Sequence, residues 1–303
     1  MKRLSDKEYW NDGYRAAAGG RSSRSLSARL RAIVRNQPGS GMFRLLAPYR
    51  EYLLWDVIYP GCLPRRPGTK VVEIGSAPGR YLVQLHREYG YDPWGIEYSE
   101  QGAALNRRAF ADNGIDPNQV IHGDFLSPHI MERYEGFFDV VVSRGFIEHF
   151  SNAPDVIDRH IRLLKEGGSL VVGIPNLLGF NYLYTWLIDR ELLRMHNLHI
   201  MEPAAYRQLF RRSDLECLFC GHYGTFDLGI ARARRPGLRK VAARAAHAAQ
   251  LPLNALLRIT LGTRGAETRT FSPLLLYIGR KRGTPAGAST GRKGPGRVLE
   301  DVV

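Results

Sequence analysis

The chain has 303 residues, 44% of them hydrophobic, enough to bury the core of one large α/β domain with additions. Its net charge of +14 sits at the ends: residues 1–40 carry 9 Lys/Arg against 3 Asp/Glu and residues 231–303 carry 15 against 3, which leaves the middle at −4. This distribution argues against a stable nucleic-acid partner held by the middle of the chain and leaves a basic footprint only in the terminal segments.

The opening MKRLSDKEYWNDG has no apolar stretch behind its positive charges, so no secretory signal is expected. The longest nearly apolar run, residues 177–188, is well short of the ~18–20 residues of a membrane-spanning helix. A cytoplasmic protein is the expectation. Cys62, Cys217 and Cys220 are too few for a disulfide framework. Cys217 and Cys220 have only His222 nearby, too few ligands for zinc. On a strand, residues i and i+3 face opposite ways, so these cysteines are expected to be packing residues.

Residues 1–60 read as a helical extension that leads into the domain. From residue 68 strand-like and helix-like segments alternate. TKVVEIG is a strand and 80–89 a helix; PWGIEYS is a strand and 99–113 a helix. QVIHGDF and FFDVVVSRG come next as strands, then a helix over 152–166, then the strand GSLVVGIPN. Gly167-Gly168 is expected to stop that helix. Residues 203–212 form a helix, and LECLFCGHYGTF and FSPLLLYIGRKR are the last two strands. Continuous Val/Ile runs between helices predict a parallel sheet covered on both faces. The core spans 65–230 with a lid insertion at 177–201, and 269–283 is the last core strand. A basic insertion occupies 231–268, and the Gly/Pro/Ser-rich 284–303 is expected to be disordered.

The turn in VVEIGSAPGRYLVQL, residues 71–85, must hold a ligand against small residues. A phosphate-binding P-loop needs Gly-Lys-Ser/Thr at its end, and Gly79-Arg80-Tyr81 does not supply it. A dinucleotide fingerprint would place glycines at 75, 77 and 80, where this chain has Gly75, Ala77 and Arg80. The spacing that fits is acid-x-Gly-x-Ala-x-Gly: Glu73, Gly75, Ala77, Gly79. Glu97 stands 22 residues past Gly75, at the end of the second strand. Together these resemble motif I and the ribose-binding acid of the class I S-adenosylmethionine-dependent methyltransferases, in the small-molecule branch. HGDF, FDVVVSRGFIEHF and LLKEGGSLVVGIPN resemble the family's next three motifs. The resemblance covers roughly residues 68–176.

It implies a Rossmann-like, seven-stranded, mostly parallel sheet with helices on both faces, and S-adenosylmethionine as cofactor. It also implies cofactor contacts from Glu73, Gly75, Ala77, Gly79, Ser143 and Asp124 with Phe125, and from Glu97 with Tyr98, Glu97 taking the ribose hydroxyls. Glu73 either orients the loop or touches ligand. S-adenosylmethionine has no phosphate, so a loop of small residues that admits the methionine part suffices, and a carboxylate at a strand end can take two hydroxyls.

The sulfonium already activates the methyl group, so the protein must align the acceptor and exclude water, and a hydroxyl acceptor also needs a base. Glu148-His149 lies nearest the expected methyl position, and His149 is the natural base. The alternative is that this pair starts a helix and packs. The ubiquinone-pathway O-methyltransferases carry Glu-x-x-Glu-His here for a metal. Gly145 stands where their first Glu would be, so no metal is expected.

Residues 177–201 offer a lid over an aromatic or apolar substrate, with His196 or His199 as alternative bases. Tyr9, Trp10 and Tyr14 can fold over the cofactor or anchor a helix. The leading reading is O-methylation of a natural-product, sugar or lipid-linked hydroxyl. The alternatives are an RNA methyltransferase and a non-catalytic cofactor-binding module; for the first, the Asp-x-Ala-Pro and Asn/Asp-Pro-Pro-Tyr stretches expected after strand four are replaced by SRGF.

Over 236–260, Lys240, Arg244, His247, Asn254 and Arg258 gather on one helical face, and Leu238, Val241, Ala242, Ala245, Ala249, Leu253 and Leu256 on the other. Pro252 is expected to kink or split that helix. Such a helix can lie peripherally on the inner membrane surface, or pack its alanine face on the domain or on a second subunit of a homodimer.

Overall fold

The computed structural model describes residues 2–19, 47–231 and 237–283. The expected disorder at 284–303 and the stretch 20–46 of the N-terminal extension lie outside these residues. Seven strands form one sheet: β1 Lys70–Ile74, β2 Asp92–Glu97, β3 Val120–His122, β4 Phe138–Arg144, β5 Leu164–Pro175, β6 Leu215–Tyr223 and β7 Leu274–Lys281. Their order is β3-β2-β1-β4-β5-β7-β6. The first five pair in parallel, and β7 runs antiparallel between β5 and β6.

The pleat of β4 shows how the sheet is held. Phe138 and Val141 turn toward a cluster with Ile130, Val156 and Tyr206. Val140 and Val142 turn the other way, onto Trp55, Leu82 and Phe110. Both faces are buried, which is why the strands read as unbroken apolar runs.

The helices are α1 Lys7–Gly19; α2 over 49–62, π-helical at Leu53–Ile58; α3 Arg80–Tyr89; α4 Glu100–Ala111; α5 Pro128–Tyr134; and α6 Ala153–Leu163. They continue as α7 Gly179–Ile188, α8 Arg190–Arg194, α9 Pro203–Leu209 and α10 Leu238–Leu261.

Three expectations change. The α6 helix ends before Gly167-Gly168, because Leu164 already pairs with Phe138 and the register then slips; the glycines sit in that bulge, Gly167 at φ +75°. Cys217 and Cys220 do not face apart: a register shift between Cys217 and Phe219 turns both thiols to one side, and Cys220 draws the Cys217 thiol down to about 7 through a side-chain hydrogen bond.

The third change concerns α10, which runs unbroken through Pro252 and turns a polar face, not its alanine face, to the domain. Gln250 and Asn254 point inward; Gln250 accepts from the Leu228 N–H and donates to the Phe226 carbonyl and to Asn254. Asn254 in turn accepts from the Tyr49 N–H. The apolar side points outward, with Leu238 89% and Ile259 70% exposed and Val241, Leu251 and Leu256 beside them. The α7 helix packs against α10 and likewise exposes Tyr182, Leu183, Trp186 and Leu187.

Candidate active site

The strand order reverses between β1 and β4, and a pocket opens there at the carboxyl ends of the strands, where open α/β sheets bind ligands. Gly75, Ala77, Glu97, Tyr98 and Phe125 line it. Glu97 is 4% exposed; Oε2 accepts from the Ala77 N–H at 3.0 Å and Oε1 from the Ser99 N–H at 2.8 Å. Burial raises its pKa against those backbone bonds. Each oxygen keeps a lone pair, so the carboxylate is fixed by the loop and by the start of α4 and still able to accept two hydroxyls. Gly102 makes room for it: a Cβ there would lie 3.0 Å from the Glu97 carboxyl carbon and 2.9 Å from the Tyr14 ring.

The remaining sequence candidates take other positions. Gly79 lies outside the pocket lining; at φ +84° it caps α3, and a Cβ there would run into the Asn106 side chain. Glu73 lies beneath the loop, where burial pushes its carboxyl up to about 8, Arg144 pulls it down, and Glu97 adds to the rise. Asp124 accepts from the Leu126 N–H and pairs with Arg3 at the pocket edge. Ser143, expected among the cofactor contacts, is wholly buried within β4, opposite Ile74 and Val172, and is not part of the pocket lining.

The N-terminal segment roofs the pocket. The Leu4 N–H donates to the His149 carbonyl at 2.8 Å, the Ser151 N–H to the Lys2 carbonyl at 3.1 Å, and Ser99 Oγ bonds to Asn11 Oδ1 at 2.6 Å. The Arg3 guanidinium lies 4.2 Å from the Tyr98 ring centre, and Trp10 meets His149 edge-on at 5.0 Å. Tyr14 reaches Glu97 and Glu73; burial, then those two carboxylates, raise its pKa.

A second pocket adjoins the first and shares Trp10, Arg144, Gly145 and His149 with it. Glu148, His196, Arg50 and Tyr223 complete its polar wall. His149 Nδ1 donates to the Met195 carbonyl at 3.0 Å, so the neutral ring keeps its lone pair on Nε2. Burial, with the neighbouring His196, holds its pKa down to about 3. Burial pushes Glu148 up to about 8, while the backbone amides of Glu148 and Phe146 pull it back. Arg144 stacks on Tyr81 at 4.3 Å; burial opposes its charge, and Glu51, Tyr223, Tyr81 and Glu73 more than offset that.

A family model of a methyltransferase domain matches residues 40–222, more than half of the chain. The chain belongs to the class I S-adenosylmethionine-dependent methyltransferases. Within this methyltransferase, 128 residues are 27% identical to the ubiquinone biosynthesis O-methyltransferase of Methylococcus capsulatus, covering 42% of the chain and 52% of the relative. The chain therefore spans about half the length of that curated relative.

Among solved structures, the complex of the Haloferax volcanii Trm112 methyltransferase activator with a putative methyltransferase matches at TM-score 0.50 and 17% identity, over 78% of this chain and 91% of that one. The MccD protein matches at TM-score 0.51 and 14% identity, over 77% and 97%. These two show the fold. The cofactor of this methyltransferase is S-adenosylmethionine. The first pocket brings together the residues that could hold it: Glu97 for the ribose hydroxyls, Phe125 and Tyr98 beside it, and the Gly75–Ala77 loop, small enough for the methionine part.

Arg3, Ser5, Phe146, Phe150 and Arg144 line the first pocket without having been legible as site residues. For Arg144 a signal existed: a lone cation closing the apolar strand FDVVVSR. For Arg3 and Ser5 there was none, because nothing in the sequence registers the N-terminal segment against the sheet.

Proposed function

We propose that the protein transfers the methyl group of S-adenosylmethionine to a hydroxyl of a small-molecule acceptor held in the second pocket. The observation that carries this reading is the shared wall, where the cofactor pocket opens onto the acceptor pocket at His149, Arg144 and Gly145. A methyl group delivered there lies beside a neutral imidazole whose free Nε2 can accept the hydroxyl proton as the new C–O bond forms. Trp10 and the N-terminal segment exclude water from above, and Glu97 and the loop hold the cofactor in place. The Methylococcus relative is by name an O-methyltransferase, which supports the choice of oxygen.

Incubation with isotope-labelled S-adenosylmethionine and a panel of phenols, sugars and lipid-linked alcohols, read by mass spectrometry, tests this. Label must appear in one acceptor class and vanish from it in His149→Ala.

We infer also that α10 lies on an anionic membrane surface, near the inner leaflet. No helix of the described residues is long and apolar enough to cross a membrane. The outward stripe of α10 is apolar, Arg239, Lys240 and Arg244 accompany it, and no acidic residue interrupts Leu238–Leu261. Beside it Arg190 stacks over Trp186 at 3.8 Å. A second copy of the chain would set these cations against their own kind, whereas anionic headgroups neutralise them. Such a position suits a lipid-linked acceptor.

A further inference from the structure

Glu148, His149 and His196 each bring one ligand atom to a common point, all within 4.8 Å of one another. We propose that these three side chains form a binding site for one divalent ion of the zinc, cobalt and manganese class. It deepens the reading of the second pocket as the acceptor site, and its role there rests on that reading. Ion binding itself does not.

The hydrogen bonds aim the site. His149 Nδ1 donates to the Met195 carbonyl at 3.0 Å and His196 Nδ1 to the Leu192 carbonyl at 2.6 Å. A carbonyl oxygen only accepts, so both neutral rings carry their proton on Nδ1 and leave a bare lone pair on Nε2. This is how ligating histidines are held: one nitrogen fixed by a carbonyl, the other free for the ion.

The Glu148 side chain is fully buried, and beyond the pull of the nearby Glu148 and Phe146 amides neither carboxylate oxygen makes a hydrogen bond of good geometry among the described residues. His196 Nε2 is 4.0 Å from Glu148 Oε1, too far for a hydrogen bond even if one of them carries a proton. The buried Glu148 oxygens thus stand opposite two imidazole lone pairs with no donor between them, an arrangement that costs free energy without a cation there. Metal–ligand bonds of roughly 2.0–2.2 Å would draw the three together by about 1 Å, within the reach of side-chain adjustment. Two imidazoles and one carboxylate suit zinc, cobalt or manganese; magnesium and calcium want oxygen.

The third ligand comes from an unexpected place. Gly145 stands where the Glu-x-x-Glu-His pattern has its first Glu. His196 arrives instead from the segment after α8, which the Asn197 N–H fastens to the Glu148 carbonyl at 2.7 Å. The three line the second pocket, so an ion there keeps an open face toward the acceptor. Bound, it would occupy His149 Nε2, take the acceptor oxygen as a ligand and lower the pKa of that hydroxyl, so that the proton leaves to water and the ion takes over from His149 the activation of the hydroxyl.

The test uses the full chain, stripped with a chelator and titrated with Zn²⁺ by calorimetry and with Co²⁺ by its visible absorption. One ion per chain is expected, with Mg²⁺ failing to compete. Glu148→Gln and His196→Ala should each weaken binding by at least ~100-fold, the upper end of what loss of even an outer-shell partner costs. Cys217→Ser should leave binding unchanged; loss of binding there would move the ion to the cysteine pair and overturn the proposal. Absence of stoichiometric binding by the unmodified chain, or unweakened binding in His196→Ala, also overturns it. S-adenosylhomocysteine binding by the same variants, which needs no ion, shows that they are folded. It also separates failure of the ion site from failure of the methyltransferase reading.

Discussion

His149 Nδ1 and the Met195 carbonyl oxygen lie 3.0 Å apart, and this hydrogen bond ties the candidate base to the segment whose Leu192 and His196 line the second pocket. The base is thereby held in one tautomer and one orientation, as a group that must accept a proton in line with methyl transfer requires.

Replacing that imidazole tests its role. His149→Ala should lower kcat by ~100- to 10,000-fold, the range for losing a general base, with the affinity for S-adenosylmethionine little changed. Quenched turnover measures the first and calorimetry the second. An unchanged kcat would mean that the ring only packs.

The N-terminal segment should behave as a cover that must open. Arg3 pairs with Asp124 and stacks on Tyr98 at the mouth of the cofactor pocket, and Leu4 holds the cover to the His149 carbonyl. Arg3→Ala should speed S-adenosylhomocysteine release by roughly 10-fold, consistent with loss of one partly exposed charge-assisted bond. Competition kinetics read this directly, and an unaltered release rate would place the cover outside the exit path.

Glu73 predicts a pH effect with a definite sign. Burial pushes its folded-state pKa up to about 8, above the ordinary value of 4.5. The folded chain therefore holds a proton that the unfolded chain releases, and stability falls as pH rises between those values. The unmodified protein should lose stability relative to Glu73→Gln from about pH 5 to pH 8, with no further divergence above that. Denaturant titrations across the range check it; parallel curves would show that Glu73 is ionised when buried.

Much of this molecule could be read in the chain because period and punctuation agreed. The Val/Ile runs of β1, β4 and β5 are buried on both faces, and Glu73, Gly75 and Ala77 sit on one strand-turn unit whose spacing is set locally. Glu97 could be read because a strand end fixes its position relative to the loop. Three features depended on contacts between distant segments. The β6 bulge turned the cysteines to one side, Arg3 reached Asp124 across 121 residues, and His196 came back to Glu148. The α10 helix was legible as amphipathic, but whether its alanine face packs on the domain or points away from it was not, because the spacing does not say which face meets the domain. Gln250 and Asn254 hold the inward face by hydrogen bonds instead.

That outward stripe gives a surface prediction. The full chain should sediment with anionic phosphatidylglycerol vesicles at low salt and release at high salt, and not with neutral phosphatidylcholine. Leu238→Ser together with Ile259→Ser should abolish sedimentation while leaving S-adenosylhomocysteine binding intact. A salt-independent dimer lost in the same variant would assign the face to a second copy of the chain.

In the proposed reaction Glu97 and the Gly75–Ala77 loop hold S-adenosylmethionine where His149 can meet its methyl group. Calorimetric titration of the unmodified chain and of Glu97→Gln with S-adenosylhomocysteine, and of the unmodified chain with NAD, tests it most directly. One binding site per chain is expected, with an affinity reduced by about 10- to 100-fold in Glu97→Gln at unchanged circular dichroism, and no binding of NAD. Equal affinity in the two proteins, or tight binding of NAD, would contradict it.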